Sequence, residues 1–240
     1  GSGNDVINFK KSKYKNKLNG QNGNDTIYGG TKNDTIHGNS GNDKLYGYNG
    51  NDKIYGDAGS DKIYGGNGND YLYGGKNNDS LDGGAGNDKI YGQYGRNTLK
   101  GGVGDDSIYG GTGTDYIYGG KGNDYINAGT GTNTICFYKG DGNDIVVSGG
   151  GSDTLKFTDY TNITNLTEHL STIKDGNNLV LYHGASDTVT IKNFFTATSS
   201  VKYFMANDGG KISVETLLND RTFWFSGSGN ITGTKYNDNI

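Results

Sequence analysis

Gly65-Gly66-Asn67-Gly68-Asn69-Asp70-Tyr71-Leu72-Tyr73 is the stretch whose reading decides the fold. Its pattern recurs every nine residues from Gly20 to Cys136, thirteen times in register. The first six positions read Gly-Gly-x-Gly-x-Asp and the last three x-aliphatic-x. Position eight is Ile27, Ile36, Leu45, Ile54, Ile63, Leu72, Leu81, Ile90, Leu99, Ile108, Ile117, Ile126 and Ile135 without exception. A row so regular is a core row.

An apolar residue between two polar or Tyr residues fits a short strand of three residues with its middle side chain inward. Closely spaced glycines before it fit a turn, because they admit positive φ and bring the backbone close to a ligand. Two turns and two strands make one coil of 18 residues, and such coils stack as parallel sheet. Alternation then sorts position six into two columns. One holds Asp34, Asp52, Asp70, Asp88, Asp106 and Asp124; the other holds Asp25, Asp43, Asp61, Asp79, Asn97, Asp115 and Asn133.

Composition alone points the other way. Hydrophobic residues are 30%, Gly numbers 45 of 240 and mean hydropathy is −0.76, values that would suggest disorder if the period were ignored. Pro is absent, as expected where nearly every strand has partners on both sides. A net charge of −4 with scattered Lys and Arg offers no patch for nucleic acid and favours a cation as partner. The single Cys136 excludes an internal disulfide framework, and no apolar run is long enough to span a membrane as a helix. The chain begins at Gly1 without Met and stops at Ile240 inside a motif, so it reads as a segment of a longer protein.

The nonapeptide resembles the known signature of the RTX (repeats-in-toxin) family. That resemblance implies an all-β fold, a right-handed parallel β-roll or β-solenoid, with several Ca²⁺ ions held between turns stacked on the same edge. By resemblance, the carboxylate ligands are Asp25, Asp34, Asp43, Asp52, Asp61, Asp70, Asp79, Asp88, Asp106, Asp115, Asp124, Asp144 and Asp153. One ion would take the carbonyls of Gly66 and Gly68 with Asp70, then those of Gly83 and Ala85 with Asp88. Further along, the same rule assigns carbonyls of Gly84, Gly86, Gly101, Gly102, Gly104 and Gly119. Ions beside the neutral Asn97 and Asn133 are expected to be weak or missing, and Lys32 and Asn77, in place of the fourth-position Gly, put their own turns in doubt.

Ordering nine residues around one buried aliphatic side chain is a poor exchange without a further source of stability. The expected mechanism is therefore a chain disordered in low calcium that folds on binding it outside the cell. The resemblance also implies a secreted or bacterial cell-surface location, neighbouring RTX blocks of the same parent, and type I secretion machinery engaged through that parent.

Residues 1–19 read as degenerate N-terminal repeats that could cap the roll, with Asn16 where Asp belongs. The roll itself is expected over 20–153, with a two-residue slip at Phe137-Tyr138 before Asp144 and Asp153 resume the pattern. Residues 154–225 read as a small β-rich flanking cap. It contains a hairpin turning at Asp175-Gly176-Asn177, strands at Thr188–Ile191 and Val201–Phe204, and a short helix capped by Ser213. Residues 226–240 look like the start of another block.

Tyr at position nine, in Tyr28, Tyr46, Tyr55, Tyr64, Tyr73, Tyr91, Tyr109 and Tyr118, predicts outward ladders of rings. The alternative function is a carbohydrate- or surface-binding adhesin module that uses those ladders on cell-surface glycan. No nucleophile and base share a catalytic spacing, so an enzyme is not expected. His37, His169 and His183 read as surface residues.

Overall fold

The fold comes from a computed structural model, which describes residues 1–147, 149–183, 186–196 and 199–219. Trp224 and the stretch 226–240 lie outside these residues. Among the described residues the strands form two sheets, of 11 and 12 strands. Successive repeats go to opposite sheets. Lys44–Asn49, Lys62–Asn67 and Ser80–Ala85 lie side by side on one, and Lys53–Ala58, Tyr71–Lys76 and Lys89–Tyr94 on the other. Every one of these pairings is parallel, and the register is one coil: Leu72 faces Ile90, and Ile90 faces Ile108. This is a parallel β-solenoid.

Strands are longer than the three residues that the pattern predicts. Tyr71–Lys76, for example, has 6 residues and runs on through the first three positions of the next repeat. The reason is that these positions also pair one coil away, with Gln93 opposite Gly111 and Tyr94 opposite Thr112. Stacking gives their backbone groups the partners a free turn would lack. Only positions four to six remain as turn.

Alternation puts Ile54 and Gly56 inside while Lys53 faces solvent. Because position one brings no side chain inward, each strand fills the interior with a single aliphatic residue. The whole row from Ile27 to Ile135 is 0% exposed. Position two needs positive φ: Gly84 takes 104° and Gly102 122°, and a Cβ on Gly84 would lie 2.2 Å from the Gly66 carbonyl oxygen. Tyr48 and Gln93 adopt φ of 76° and 70° at the same position, so the coil imposes the conformation even on residues that resist it.

The slip after Cys136 lengthens one coil to 20 residues without breaking the columns, since Asp144 and Asp153 still join Asp124 and Asn133. Beyond it the flank continues both sheets. Thr188–Lys192 pairs parallel with Asn143–Val147, and Val201–Met205 pairs parallel with Asp153–Phe157. Antiparallel hairpins then close each sheet, through Asn178–Tyr182 with Ser171–Asp175 on one and Lys211–Ser213 on the other. The aliphatic row continues through Val146 and Leu155 to Ile191 and Phe204, with Phe137 and Phe157 buried beside it. A helix at Ile163–His169, absent from the pattern reading, is capped by Asn162 and buries Leu166.

Leu72→Ala in calcium is expected to lower the unfolding free energy by about 2–5 kcal/mol, because neighbouring coils cannot close on the cavity. Gly84→Ala should do at least as much damage, since its methyl meets backbone rather than a side chain that can move. Urea midpoints at fixed calcium measure both.

Candidate metal centre

Position-six carboxylates are buried and placed by hydrogen bonds between coils. Oδ1 of Asp70 accepts the backbone N–H of Asp52 at 2.7 Å, and Oδ1 of Asp88 accepts that of Asp70 at 2.7 Å. Both predicted columns are present in this form, one through Asp106 and Asp124 and the other through Asp43, Asp61 and Asp79. Each carboxylate therefore holds its neighbour's main chain with one oxygen.

The second oxygen is different. Oδ2 of Asp25, Asp43, Asp52, Asp61, Asp70, Asp79, Asp88, Asp106, Asp115, Asp124 and Asp144 is buried and has no hydrogen-bond partner among the described residues. Buried, unpartnered anionic oxygens are expensive unless a cation answers them. These oxygens converge on backbone carbonyls. A Cβ on Gly65 would lie 2.4 Å from Asp70 Oδ2 and 2.5 Å from the Gly83 carbonyl oxygen. Asp88 Oδ2 meets the Gly101 oxygen at Gly83 in the same way, and Asp106 Oδ2 meets that of Gly119 at Gly101. An all-oxygen cradle suits a hard cation such as Ca²⁺. Among the described residues no three His, Cys, Asp or Glu side chains gather as a metal cluster, so carbonyls would have to complete any ligand set. Gly66, Gly68, Gly84, Gly86, Gly102 and Gly104 stack with their carbonyls against the next coil, as the Cβ clashes at Gly84, Gly86, Gly102, Gly104, Gly120 and Gly122 show. The Ala85 carbonyl already accepts the Gly68 N–H at 2.8 Å, which leaves it one lone pair.

Two of the expected carboxylates are fully occupied. Asp34 Oδ2 accepts the Gly30 N–H at 2.6 Å, and its Oδ1 accepts both the backbone and side-chain N–H of Asn16. This is the turn containing Lys32, whose Gly30 does not take the positive φ of other second positions. At the other end Asp153 accepts from the Ser200 hydroxyl and from Asn133. The turn at Asn77 stays regular, because Asn77 adopts φ of 78° and Asp79 Oδ2 remains without a partner.

Asn97 keeps the hydrogen bond but reverses the polarity of the slot. Its Oδ1 accepts the Asp79 N–H at 2.9 Å, so its buried Nδ2 points where other repeats offer oxygen. Asn133 likewise spends Oδ1 on Asp115 and Nδ2 on Asp153.

A second ladder went unread in the sequence. Position five, left open in the pattern, carries asparagines whose side chains reach the opposite way: Asn51 Oδ1 accepts the Asn69 N–H at 3.0 Å and Asn69 Oδ1 that of Asn87 at 2.9 Å. The signal was the recurrence of Asn immediately before Asp in Asn24, Asn33, Asn42, Asn51, Asn69, Asn78, Asn87 and Asn123.

Of the histidines, His169 is exposed and His37 stacks on Tyr55 at 4.4 Å, hydrogen-bonded to Asp57. His183 is not at the surface: it is 1% exposed beside Phe137 and Phe157, and burial lowers its pKa. Hydrophobic residues of the flank enclose it, which its isolated position in the sequence did not reveal. Burial also raises the pKa of the Cys136 thiol.

Burial pushes the free carboxylates up from 3.8, to about 8 for Asp70, Asp106 and Asp144 and to about 7 for Asp52, Asp61 and Asp79. The metal-free folded chain thus binds protons that the unfolded chain has released. Its stability is greatest below the unfolded value of 3.8 and is lost as pH rises through 7 and 8. In excess chelator, circular dichroism should show more β-structure near pH 4.5 than at pH 8, and the reverse order would contradict this assignment of the buried oxygens.

The family described as RTX calcium-binding nonapeptide repeat (4 copies) matches residues 19–54, 46–81, 73–108, 101–135 and 140–155. No curated protein sequence matches. Among solved structures, extracellular lipase LipA from Serratia marcescens is similar at 20% identity and a TM-score of 0.27, over 80% of this chain and 40% of that one. The chain therefore spans less than half the length of that lipase. The family match covers more than half of the chain and coincides with the turns that carry the buried aspartates, so the chain belongs to the RTX calcium-binding nonapeptide repeat family.

Proposed function

We propose that this chain is a non-catalytic, calcium-gated folding module of a larger exported bacterial protein, a toxin, an adhesin or a secreted enzyme. The observation that carries the reading is the row of buried Oδ2 atoms without partners. Asp70, Asp88, Asp106 and Asp124 would hold ions on one edge, with the carbonyls of Gly83, Gly101 and Gly119 facing the first three of these carboxylates. Asp25, Asp43, Asp61 and Asp79 would do so on the other. When bound, Ca²⁺ supplies two positive charges and draws about six to eight oxygens around itself.

What the chain's own residues contribute is a scaffold that is assembled only when coils stack. An Asp Oδ1 fastens the preceding coil and an Asn Oδ1 the following one, while Oδ2 is left facing inward with its charge uncompensated. At neutral pH several of these carboxyls cannot be both buried and ionised without a counter-charge. Extracellular calcium modules bind at about 10⁻⁴–10⁻³ M. In that range the chain stays unfolded in a low-calcium cytosol, in a form that type I machinery could pass through the parent's export signal, and folds outside.

The ladder-based adhesin reading is less well supported. Tyr55, Tyr73, Tyr91 and Tyr109 stack at 4.8–4.9 Å with interplanar angles of 4–6°. Each ring face is covered by the next, so the ladder offers a ligand only edges and hydroxyls.

Far-UV circular dichroism of the chain titrated with Ca²⁺ tests the proposal, with Mg²⁺ as control. A cooperative coil-to-β transition is expected with Ca²⁺ alone, in the sub-millimolar to millimolar range. Asn97→Asp, which restores an oxygen to the interrupted column, should lower the midpoint about threefold, and Asp88→Asn should raise it by a similar factor. Asp34→Asn should leave the number of bound ions unchanged, because both Asp34 oxygens already have donors, while costing the fold the Gly30 hydrogen bond that an amide nitrogen cannot accept. A chain fully β in excess chelator at pH 8 would overturn the gating.

A further inference from the structure

On one sheet, position nine reads Tyr28, Tyr46, Tyr64, Asp82, Lys100 and Tyr118 from coil to coil. The first three rings stack, Tyr28 on Tyr46 at 5.1 Å and Tyr46 on Tyr64 at 4.9 Å. There the ladder stops. Tyr64 has no ring on its Asp82 side and is 38% exposed, and Tyr118, across the gap, stacks on no other ring among the described residues. The opposite sheet shows no such interruption between Tyr55 and Tyr109.

The break opens a surface hollow of about 560 Å³, walled by Asp82, Thr98, Lys100, Tyr118 and Tyr138 and floored by glycines. Near the start of the same sheet the second position carries Tyr48, which leans on Tyr28 and Tyr46 at 6.3 Å. In the gap that position is Gly84, Gly102 or Gly120, so nothing fills the space. Asp82 and Lys100 are in-register neighbours, yet no ion pair joins them among the described residues. Lys100 instead leans toward Tyr118, with Nζ 6.0 Å from the ring centroid. The Asp82 carboxylate accepts no hydrogen bond from the described residues.

We infer that this gap in the tyrosine ladder is a binding site for a neutral sugar, the end of a mono- to trisaccharide. The hollow has the volume of small-ligand sites, about 300–1,000 Å³. Its walls combine an acceptor, two donors and two tyrosines, each with an apolar body and a polar tip. Hydroxyls donate and accept, so one uncharged sugar can give a hydrogen bond to Asp82 and take them from Lys100 and Thr98. An extended peptide is a poorer fit. The sheet face beneath has its backbone groups paired between coils, so a peptide cannot dock there by strand addition.

The test uses the full chain in saturating calcium, its fold checked by circular dichroism. A chain that is β without calcium would sink the gating and leave this test intact. Saturation-transfer NMR and titrations are run with lactose, maltotriose and N,N′,N″-triacetylchitotriose, and with glycylglycine as a zwitterionic comparison. At least one sugar should bind. The double variant Asp82→Tyr/Lys100→Tyr, which continues the ring ladder through the gap, should weaken that binding by about tenfold or more. Tyr73→Thr, on the opposite sheet, should leave it within about twofold. Failure of all three sugars, binding unchanged in the double variant, or glycylglycine binding in place of the sugars would each overturn the assignment.

Discussion

The hydrogen bond from the backbone N–H of one position-six residue to the Oδ1 of the next, such as Asp52 to Asp70 at 2.7 Å, is the contact on which the roll depends. It fixes the register at one coil, aims each carboxylate inward and leaves its other oxygen without a donor. A glutamate could not make this contact at the same backbone separation, and a serine would leave no second oxygen. An asparagine can make it, as Asn97 does, but only by pointing an N–H into the slot. Structure and cation demand thus come from the same side chain.

Neighbouring residues divide the remaining work. Asn69 and Asp70 reach in opposite directions along the roll axis, one toward Asn87 and one toward Asp52, so each turn is tied to both of its neighbours. Inside, one aliphatic residue per strand forms a narrow apolar column. These terms hold the turns in place without cancelling the charge they bury. At each end one column has that charge cancelled by donors of the chain: Asn16 and Gly30 on Asp34, and Ser200 and Asn133 on Asp153, while Asp25 and Asp144 in the other columns keep a free Oδ2 among the described residues. Protein hydrogen bonds thus fill the last slot of one column at each end, where the repeat pattern degenerates.

Most of this was legible because a period of nine repeats every feature thirteen times. The inward row, the two columns and the break at Asn97 follow from counting. Strand length did not, because pairing of positions one to three depends on the coil one turn away and not on local propensity. The asparagine ladder was visible as a recurrence but lacked a reason until the direction of its hydrogen bonds was known. Asp34 lies in the turn that Lys32 already marked as irregular, and its donor is Gly30 of that turn; Asp153 looks like its neighbours in sequence, and its donor is Ser200, 47 residues away. The helix at Ile163–His169 and the burial of His183 depend on packing in the non-repetitive flank, where no period amplifies a weak signal.

Hydrogen exchange of backbone amides across residues 20–153, compared in millimolar calcium and in excess chelator at pH 8, tests the central claim most directly. The account predicts protection throughout the stacked coils in calcium, and its loss as one block when calcium is removed. Equal protection in both conditions would contradict it, because the hydrogen bonds and the apolar column would then hold the roll with its carboxylates uncompensated.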